Sequence, residues 1–190
     1  MIRRPPRSTQ SRSSAASDVY KRQLDECARR RAHLTVLLLD IDGFKHYNDR
    51  YGHETGDALI REVAYLLRRC SRESDVVARY GGDEFAVILW DAEKARVPGS
   101  KHPSEPLAFA ERYRQAIHRH EFRCLGPGAP GPVTVSGGLA SFPWDGTTRL
   151  QLLRSADEAL LTAKRTGKNR IELARPAGMD SPAAGDGTAG

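Results

Sequence analysis

Two pairs of carboxylates stand where apolar segments end, and together they could hold a divalent cation. Asp40 and Asp42 come directly after the apolar run of residues 34–39, and Asp83 and Glu84 follow two glycines. Neighbouring carboxylates repel one another unless a cation, a proton or solvent compensates their charge. Oxygen ligands in a chain with only six histidines suit a hard cation such as Mg²⁺.

Three lysines are placed where they could neutralise phosphate groups near such a cation. Lys45 follows the first pair of acids, and Lys164 and Lys168 lie one helical turn apart at the end of the last predicted helix. Carboxylates that hold a cation, with basic side chains beside them, are typical of metal-assisted phosphoryl transfer. The two acidic clusters can meet only if their strands are neighbours, which is the usual arrangement for short connections.

The acidic clusters must be positioned by strands. The continuous apolar run of residues 34–39 predicts a central strand that is covered on both faces, with the first acids at its carboxyl end. Residues 75–80 and 85–90 are short and rich in β-branched or aromatic residues, which predicts a β-hairpin. Gly81 and Gly82 would form its tip, because glycine tolerates positive φ and lets a ligand approach the backbone.

The other segments predict helices that alternate with strands around one sheet, which is an α/β (α+β) fold. Residues 56–70 predict a helix capped by Thr55. Residues 149–166 predict one capped by Thr148, with an inward face made of Leu150, Leu153, Ala156, Leu160 and Ala163. Weaker patterns predict a turn or short helix over residues 43–52, a surface loop over 91–106, a helix over 104–120 and strands over 133–142 and 170–173.

Composition predicts one folded domain over residues 24–173. Residues 1–23 are rich in Arg, Ser and Pro and lack hydrophobic periodicity, which indicates a non-native or disordered segment, and residues 174–190 indicate a disordered tail. The formal charge of +6 lies mostly in residues 1–23, which hold six Lys and Arg against one Asp. The folded part is therefore nearly neutral, and no nucleic-acid partner is predicted.

Cysteine content and hydropathy indicate a compartment. Cys27, Cys70 and Cys124 are odd in number and fit neither a disulfide framework nor a CxxC metal motif. They predict reduced thiols and a cytoplasmic location. No apolar run is long enough to cross a bilayer, so no membrane partner is predicted for this segment.

Several ordered motifs resemble the GGDEF family of diguanylate cyclases over nearly all of residues 24–173. They are DIDGFKHYND at 40–49, YGHETGD at 51–57, RYGGDEF at 79–85, VTVS at 133–136, AD at 156–157 and AKRTGKNR at 163–170. The resemblance implies a palm-like nucleotidyl-cyclase fold, with a mixed central sheet flanked by helices and a β-hairpin that carries the GGDEF turn. It also implies that two GTP molecules condense into cyclic di-GMP with release of pyrophosphate. Two domains would each hold one GTP and face each other, so a homodimer is required for catalysis.

The resemblance assigns the catalytic positions. Asp40, the backbone carbonyl of Ile41, Asp83 and Glu84 would hold the metals, which are Mg²⁺ or Mn²⁺ in this interpretation. Either Asp83 or Glu84 would be the general base, since a carboxylate beside a metal-bound hydroxyl can accept its proton. Lys45 would stabilise charge in the transition state.

The resemblance also assigns substrate contacts. Lys164 and Lys168 would bind the triphosphate, although two lysines at a helix C-terminus are also favourable without any ligand. Asn48 and Asp57 would recognise guanine, whose Watson–Crick edge offers two adjacent donors to a carboxylate. His53 would lie near the base.

Arg72 and Asp75 form an RxxD pattern at the spacing where the family has its inhibitory product site. An arginine can bind phosphate or stack on guanine, while the aspartate accepts from the base edge. As a bare pattern, RxxD also occurs as an i, i+3 ion pair. If cyclic di-GMP binds there, activity is expected to fall as product accumulates.

The sequence departs from the family pattern in four places. The DxLTGLxNR stretch that usually opens the domain is absent, and residues 1–23 stand in its place. Gly137 replaces a β-branched residue, Leu161 a tyrosine and Lys168 an arginine. The last replacement exchanges a forked donor for a point charge, so weaker triphosphate binding is expected.

Two other functions compete with an active cyclase. A catalytically impaired GGDEF module could bind GTP or cyclic di-GMP as a regulatory domain. A nucleic-acid polymerase palm is the third possibility, but the chain lacks the basic channel expected of a template-binding protein.

Overall fold

The computed structural model describes residues 32–95, 105–127, 129 and 131–174. The predicted N-terminal segment, Cys27 and all of the predicted tail except Ala174 lie outside these residues. The elements in chain order are β1 (Ala32–Ile41), α1 (Phe44–Tyr51), α2 (His53–Cys70), β2 (Val76–Arg79), β3 (Glu84–Ala95), α3 (Glu105–His118), a 3₁₀ turn (Arg123–Leu125), β4 (Val135–Phe142), α4 (Arg149–Arg165) and β5 (Ile171–Leu173).

The strands form one mixed sheet in the order β2-β3-β1-β4-β5. The central strand β1 pairs antiparallel with β3 on one side and with β4 on the other, whereas β4 and β5 are parallel. Strands β2 and β3 pair antiparallel and form the predicted hairpin. The predicted fold class, a mixed sheet flanked by helices, is confirmed.

The alternation of side chains along β1 decides which helix each residue meets. Leu37, Leu39 and Ile41 belong to the core that α2 and α3 cover. Leu34, Val36 and Leu38 belong to the core on the opposite face, which α4 covers. Because successive residues of a strand point to opposite faces, Asp40 falls on the side of α4.

Helix α4 packs unusually close to β4 at Gly138. A Cβ atom at this position would lie 2.0 Å from the carbonyl oxygen of Ala156 and 2.2 Å from the amide nitrogen of Leu160. These are backbone atoms of α4, which no side-chain rearrangement could move away. Gly138 therefore lets α4, and the lysine near its end, approach the sheet.

The other glycine of β4, Gly137, is one of the departures from the family pattern. A Cβ atom there would lie 2.6 Å from the side chain of Ile171 and 2.8 Å from that of Leu39. The volume that a β-branched residue would occupy is thus taken by neighbouring aliphatic side chains.

Two predicted boundaries are wrong. Helix α2 begins at His53 after Gly52, without a side-chain cap, so Thr55 lies inside the helix and does not cap it. Strand β3 continues to Ala95, so the predicted surface loop over residues 91–106 begins too early.

The last helix is correct in extent and in most of its buried face, because Ala156, Leu160 and Ala163 are buried as predicted. Thr148 caps α4 as predicted and forms a capping box with Gln151. Leu150, which was expected to face inward, is 68% exposed, and Leu152 is fully buried in its place. The helix turns this face to the sheet because it must approach β4 at Gly138.

In the part of the chain that the structure describes, no helix has both the length and the apolar character needed to span a bilayer. Cys70 and Cys124 are free thiols, as predicted.

Candidate active site

The structure brings the two acidic clusters together. Asp40 on β1 stands directly opposite Glu84 on β3, and the amide of Ile41 donates to the carbonyl oxygen of Asp83 at 3.3 Å. Residues directly opposite each other in an antiparallel pair project their side chains to the same face. Asp40 and Glu84 therefore share the face that α4 covers.

Lys164 near the end of α4 pairs with the buried acid. Its Nζ lies 2.5 Å from Oδ2 of Asp40, whose side chain is 7% exposed. Burial raises the pKa of Asp40 to about 6; the hydrogen bond from Lys164 opposes the shift, and the negative charges of Asp83 and Glu84 reinforce it. One ammonium group thus compensates the carboxylate only in part, and the site favours additional positive charge.

The hairpin tip is held by its own arginine. Nε and Nη2 of Arg79 donate to the carbonyl oxygen of Gly82 at 3.0 Å and 2.8 Å, and the amide of Tyr80 donates to the carbonyl oxygen of Glu84 at 2.8 Å. Neither glycine of the tip has positive φ, so the part of the prediction that rested on positive φ is wrong. A Cβ atom on Gly81 would lie 2.9 Å from Oε2 of Glu84, so glycine leaves room for that carboxylate.

The donor atoms at this edge suit a divalent cation. Asp40, Asp83, Glu84 and the carbonyl of Ile41 offer only oxygen, which Mg²⁺ and Mn²⁺ prefer. Among the described residues, no three acidic, histidine or cysteine side chains are already grouped as a metal cluster. That is compatible with Mg²⁺, which usually takes one or two carboxylates and completes its shell with water and substrate phosphates.

Asp42 is engaged elsewhere. Its Oδ2 accepts from Thr134 Oγ1 at 2.8 Å and from the amide of Asn169 at 3.0 Å, and its Oδ1 accepts from Ser136 Oγ at 2.7 Å. The expectation that both acids after β1 face the cation is therefore wrong for Asp42. Its carboxylate ties the end of β1 to the start of β4 and to the turn after α4.

The predicted guanine contacts lie on α1 and at the start of α2. A Cβ atom on Gly56 would lie 1.8 Å from Oδ1 of Asn48, so the Asn48 amide rests against this buried glycine. Asp57, the next residue, is exposed, and so is His53 in the first turn of α2. The glycine therefore brings Asn48 beside the turn that carries Asp57.

The two remaining lysines are exposed. Lys45 in the first turn of α1 lies 3.4 Å from Oδ2 of Asp49, with 90% of its side chain exposed. Lys168 lies in the turn between α4 and β5 and has a left-handed backbone with φ of 60°. Both are thus free to move toward a ligand.

The predicted product site has more parts than the RxxD pattern shows. Asp75 is 3% exposed, and its Oδ2 accepts from the backbone amide of Arg72 at 2.8 Å. The guanidinium of Arg72 lies over the ring of Phe109 at 4.2 Å, and that of Arg112 lies 4.7 Å from the same ring centre. Sequence reasoning missed Phe109 and Arg112, although an aromatic and an arginine three residues apart share one face of a helix.

Comparisons with known proteins agree with this geometry. The family model described as "Diguanylate cyclase, GGDEF domain" matches residues 12–170. The chain belongs to the GGDEF family. It is 37% identical to diguanylate cyclase A of Treponema denticola over 142 aligned residues. The alignment covers 75% of this chain and 35% of that protein. The chain thus spans about a third of the length of the curated relatives it matches.

Solved GGDEF domains have the same fold. The GGDEF domain of YfiN (TpbB) from Pseudomonas aeruginosa aligns with a TM-score of 0.74 and 32% identity, covering 88% of this chain and 98% of that one. The GGDEF domain of DgcB from Caulobacter crescentus in complex with c-di-GMP aligns with a TM-score of 0.72 and 30% identity. The alignment covers 92% of this chain and 99% of that domain.

Proposed function

We propose that this domain is a diguanylate cyclase that condenses two GTP molecules into cyclic di-GMP and releases pyrophosphate. The observation that supports this best is the meeting of Asp40 with Asp83 and Glu84 at one edge of the sheet, beside Lys164. The GGDEF family membership and the names of the relatives point to the same chemistry. The bounds of 24–173 for the domain and the cytoplasmic location stay predictions.

The acidic edge would hold Mg²⁺ or Mn²⁺ through Asp40, the carbonyl of Ile41 and the pair Asp83 and Glu84. When bound, the cation would neutralise the charge that develops on the phosphate oxygens. The buried Asp40 fits this role because its environment disfavours an uncompensated negative charge.

The basic residues would bind and orient the triphosphate. Lys164, which pairs with Asp40, would contact phosphate oxygens when a nucleotide binds, and Lys168 would reach them from the turn after α4. Lys45 would approach the reacting phosphate, where its ammonium stabilises the transition state. Asn48 and Asp57 would select guanine, and His53 would border the base.

Two domains would act together. The 3′-hydroxyl of each GTP attacks the α-phosphorus of the other, the bond between the α-phosphate and pyrophosphate breaks, and the hydroxyl proton passes to Asp83 or Glu84. Because each site holds a single GTP, the reaction requires a homodimer. Specific activity is therefore expected to rise with protein concentration until the dimer is saturated.

We also propose that cyclic di-GMP binds at Arg72 and Asp75 and lowers the activity. The exposed guanidinium groups of Arg72 and Arg112, placed around the Phe109 ring, could bind phosphate or stack on guanine. That a related domain was solved in complex with c-di-GMP supports a product site in this fold.

A mass spectrum of the products tests the proposal. The purified chain is incubated with equal concentrations of GTP and ATP in the presence of Mg²⁺. Cyclic di-GMP and pyrophosphate are expected, without products that contain adenine. Binding of GTP or cyclic di-GMP in calorimetry, without any turnover, would instead favour the regulatory module without catalytic activity.

A further inference from the structure

The turn between α4 and β5 holds two consecutive residues in an unfavourable backbone conformation. Lys168 has φ of 60° and Asn169 has φ of 47°, the left-handed region that residues with a side chain seldom adopt. Such a conformation persists only where the surrounding structure holds it in place. The groups that hold this turn therefore determine where Lys168 lies.

The contacts of the turn lead to Asp42. The backbone amide of Asn169 donates to Oδ2 of Asp42 at 3.0 Å, and the amide of Lys168 donates to the carbonyl oxygen of Ala163 at 2.9 Å. The side chain of Asn169 is held as well, because its Oδ1 accepts from Nη1 of Arg114 at 2.7 Å. Each residue of the turn is thus fixed by a partner outside it.

Asp42 is itself oriented by hydroxyl groups at the start of β4. Thr134 Oγ1 donates to Oδ2 at 2.8 Å and Ser136 Oγ donates to Oδ1 at 2.7 Å. Its backbone amide donates to the carbonyl oxygen of Thr134 at 2.9 Å. The two carboxylate oxygens of Asp42 thus accept three hydrogen bonds, from Thr134, Ser136 and Asn169. The negative charge of the carboxylate strengthens each of these hydrogen bonds.

We propose that Asp42 is a positioning residue for the triphosphate, which acts by holding the left-handed turn that carries Lys168. It binds neither the cation nor the nucleotide. The inference rests on the proposed function, because it takes Lys168 to be a phosphate contact. Asp42 would thus position the turn that carries Lys168, whereas Asp40 would bind the cation.

The expected signature is a loss of affinity that depends on the number of phosphates. Asp42→Ala leaves the Asn169 amide without its acceptor, so the turn relaxes and Lys168 moves. The dissociation constant of a non-hydrolysable GTP analogue with Mg²⁺ should rise about tenfold, and that of GMP less than twofold. A role in general stability would weaken both ligands equally, and that result would overturn the proposal.

A double-mutant cycle provides the second readout. Lys168→Ala alone should weaken the GTP analogue about tenfold, and adding Asp42→Ala should weaken it less than twofold further. Independent, multiplicative effects would contradict the proposal. Asp42→Asn should recover most of the affinity, since its amide oxygen can accept from Asn169 while its NH₂ donates to the Ser136 hydroxyl.

Two further variants keep the test interpretable. If Asp42→Ala does not fold, Thr134→Val removes one donor to Asp42 and keeps the β-branched shape of the side chain. A smaller loss of affinity with the same phosphate dependence is then expected. Arg154→Ala, which removes an exposed ion pair with Glu158 on α4, should change neither affinity.

Failure of wild type to bind the analogue would overturn the proposed function and this inference together. If wild type binds the analogue and Asp42→Ala binds it with the same dissociation constant, this inference alone would be overturned.

Discussion

The acidic edge and the Arg72–Asp75 turn each contain a buried aspartate, but the two aspartates are stabilised differently. Asp75 accepts from the backbone amide of Arg72, and its own amide donates to the carbonyl oxygen of Arg72 at 3.1 Å, so it closes a local loop. Asp40 pairs with Lys164, but burial, reinforced by the negative charges of Asp83 and Glu84, raises its pKa to about 6.

The difference separates an aspartate whose carboxylate the protein already satisfies, whether or not product binds beside it, from one whose charge favours binding of a cation. Groups that must bind charge are often placed where the free protein satisfies them poorly, at a cost to stability. By this reasoning, mutation of Asp75 should destabilise the protein, whereas neutralisation of Asp40 should stabilise it and remove its function. Four predictions test this contrast, from the largest expected effect to the smallest.

The double variant Asp83→Asn with Glu84→Gln should lose turnover by about 10³-fold or more, because it removes the metal ligands and the proton acceptor together. The measurement is pyrophosphate release from GTP. Binding of cyclic di-GMP at the Arg72–Asp75 turn should be unchanged in calorimetry, which shows that the variant is folded. A rate close to that of wild type would remove the proposed role of the pair.

Asp75→Ala should lower the free energy of unfolding by about 2 kcal/mol, since the buried carboxylate accepts a charge-assisted hydrogen bond from the partly buried Arg72 amide. Urea denaturation followed by circular dichroism measures the change. The matched control is Glu73→Ala, an exposed acid two residues away, which should stay within about 0.5 kcal/mol of wild type. Equal effects of the two variants would mean that Asp75 has no special structural role.

Arg72→Ala should raise the dissociation constant of cyclic di-GMP by about tenfold. The loss of one charge-assisted hydrogen bond to a ligand typically weakens binding by about this factor. It should relieve product inhibition without raising the initial rate. Calorimetry and progress curves at several product concentrations provide the data, with Arg119→Ala as a control on an exposed arginine of the same charge. An inhibition constant equal to that of wild type would leave the motif structural.

Asp40→Asn should raise the free energy of unfolding at pH 7.5 by about 1 kcal/mol. The gain is smaller than the roughly 3 kcal/mol that the net pKa shift implies, because the amide does not reproduce the hydrogen bonding of a protonated carboxyl group. In wild type, the folded state binds the Asp40 proton more tightly than the unfolded chain does. This contribution to stability is complete below pH 3.8 and is lost as the pH rises through about 6. The variant lacks this pH dependence, so identical denaturation curves for the two proteins across pH 4–7 would contradict the account.

Local patterns were sufficient for much of the fold. The hairpin, the central strand and the cap of α4 were predictable because short apolar runs, paired glycines and a Thr before an amphipathic segment act over a few residues. The close approach of α4 to Gly138 was not, because it is a contact between elements distant in sequence. Helical periodicity placed Ala156, Leu160 and Ala163 correctly on the buried face, but Leu150 is exposed.

In the candidate site, too, local features were predictable and contacts between distant segments were not. The acids at the strand ends were recognisable from their positions, and pairing of neighbouring strands brought Asp40 and Glu84 together. The engagement of Asp42 could not be predicted, because its partners Thr134, Ser136 and Asn169 lie 92, 94 and 127 residues further along the chain. Their contacts depend on the order of the strands, which the periodicity of single segments does not contain.

Binding of Mn²⁺ tests the central claim most directly, because it reports on the acidic edge without requiring turnover. The free-ion signal in electron paramagnetic resonance is followed as the protein is titrated in the presence of a non-hydrolysable GTP analogue. Wild type should bind Mn²⁺ at least tenfold more tightly than Asp40→Asn at pH 7.5, and its affinity should fall below about pH 6, where Asp40 takes up a proton. Equal affinities in the two proteins at every pH would contradict the assignment of this edge as a metal site.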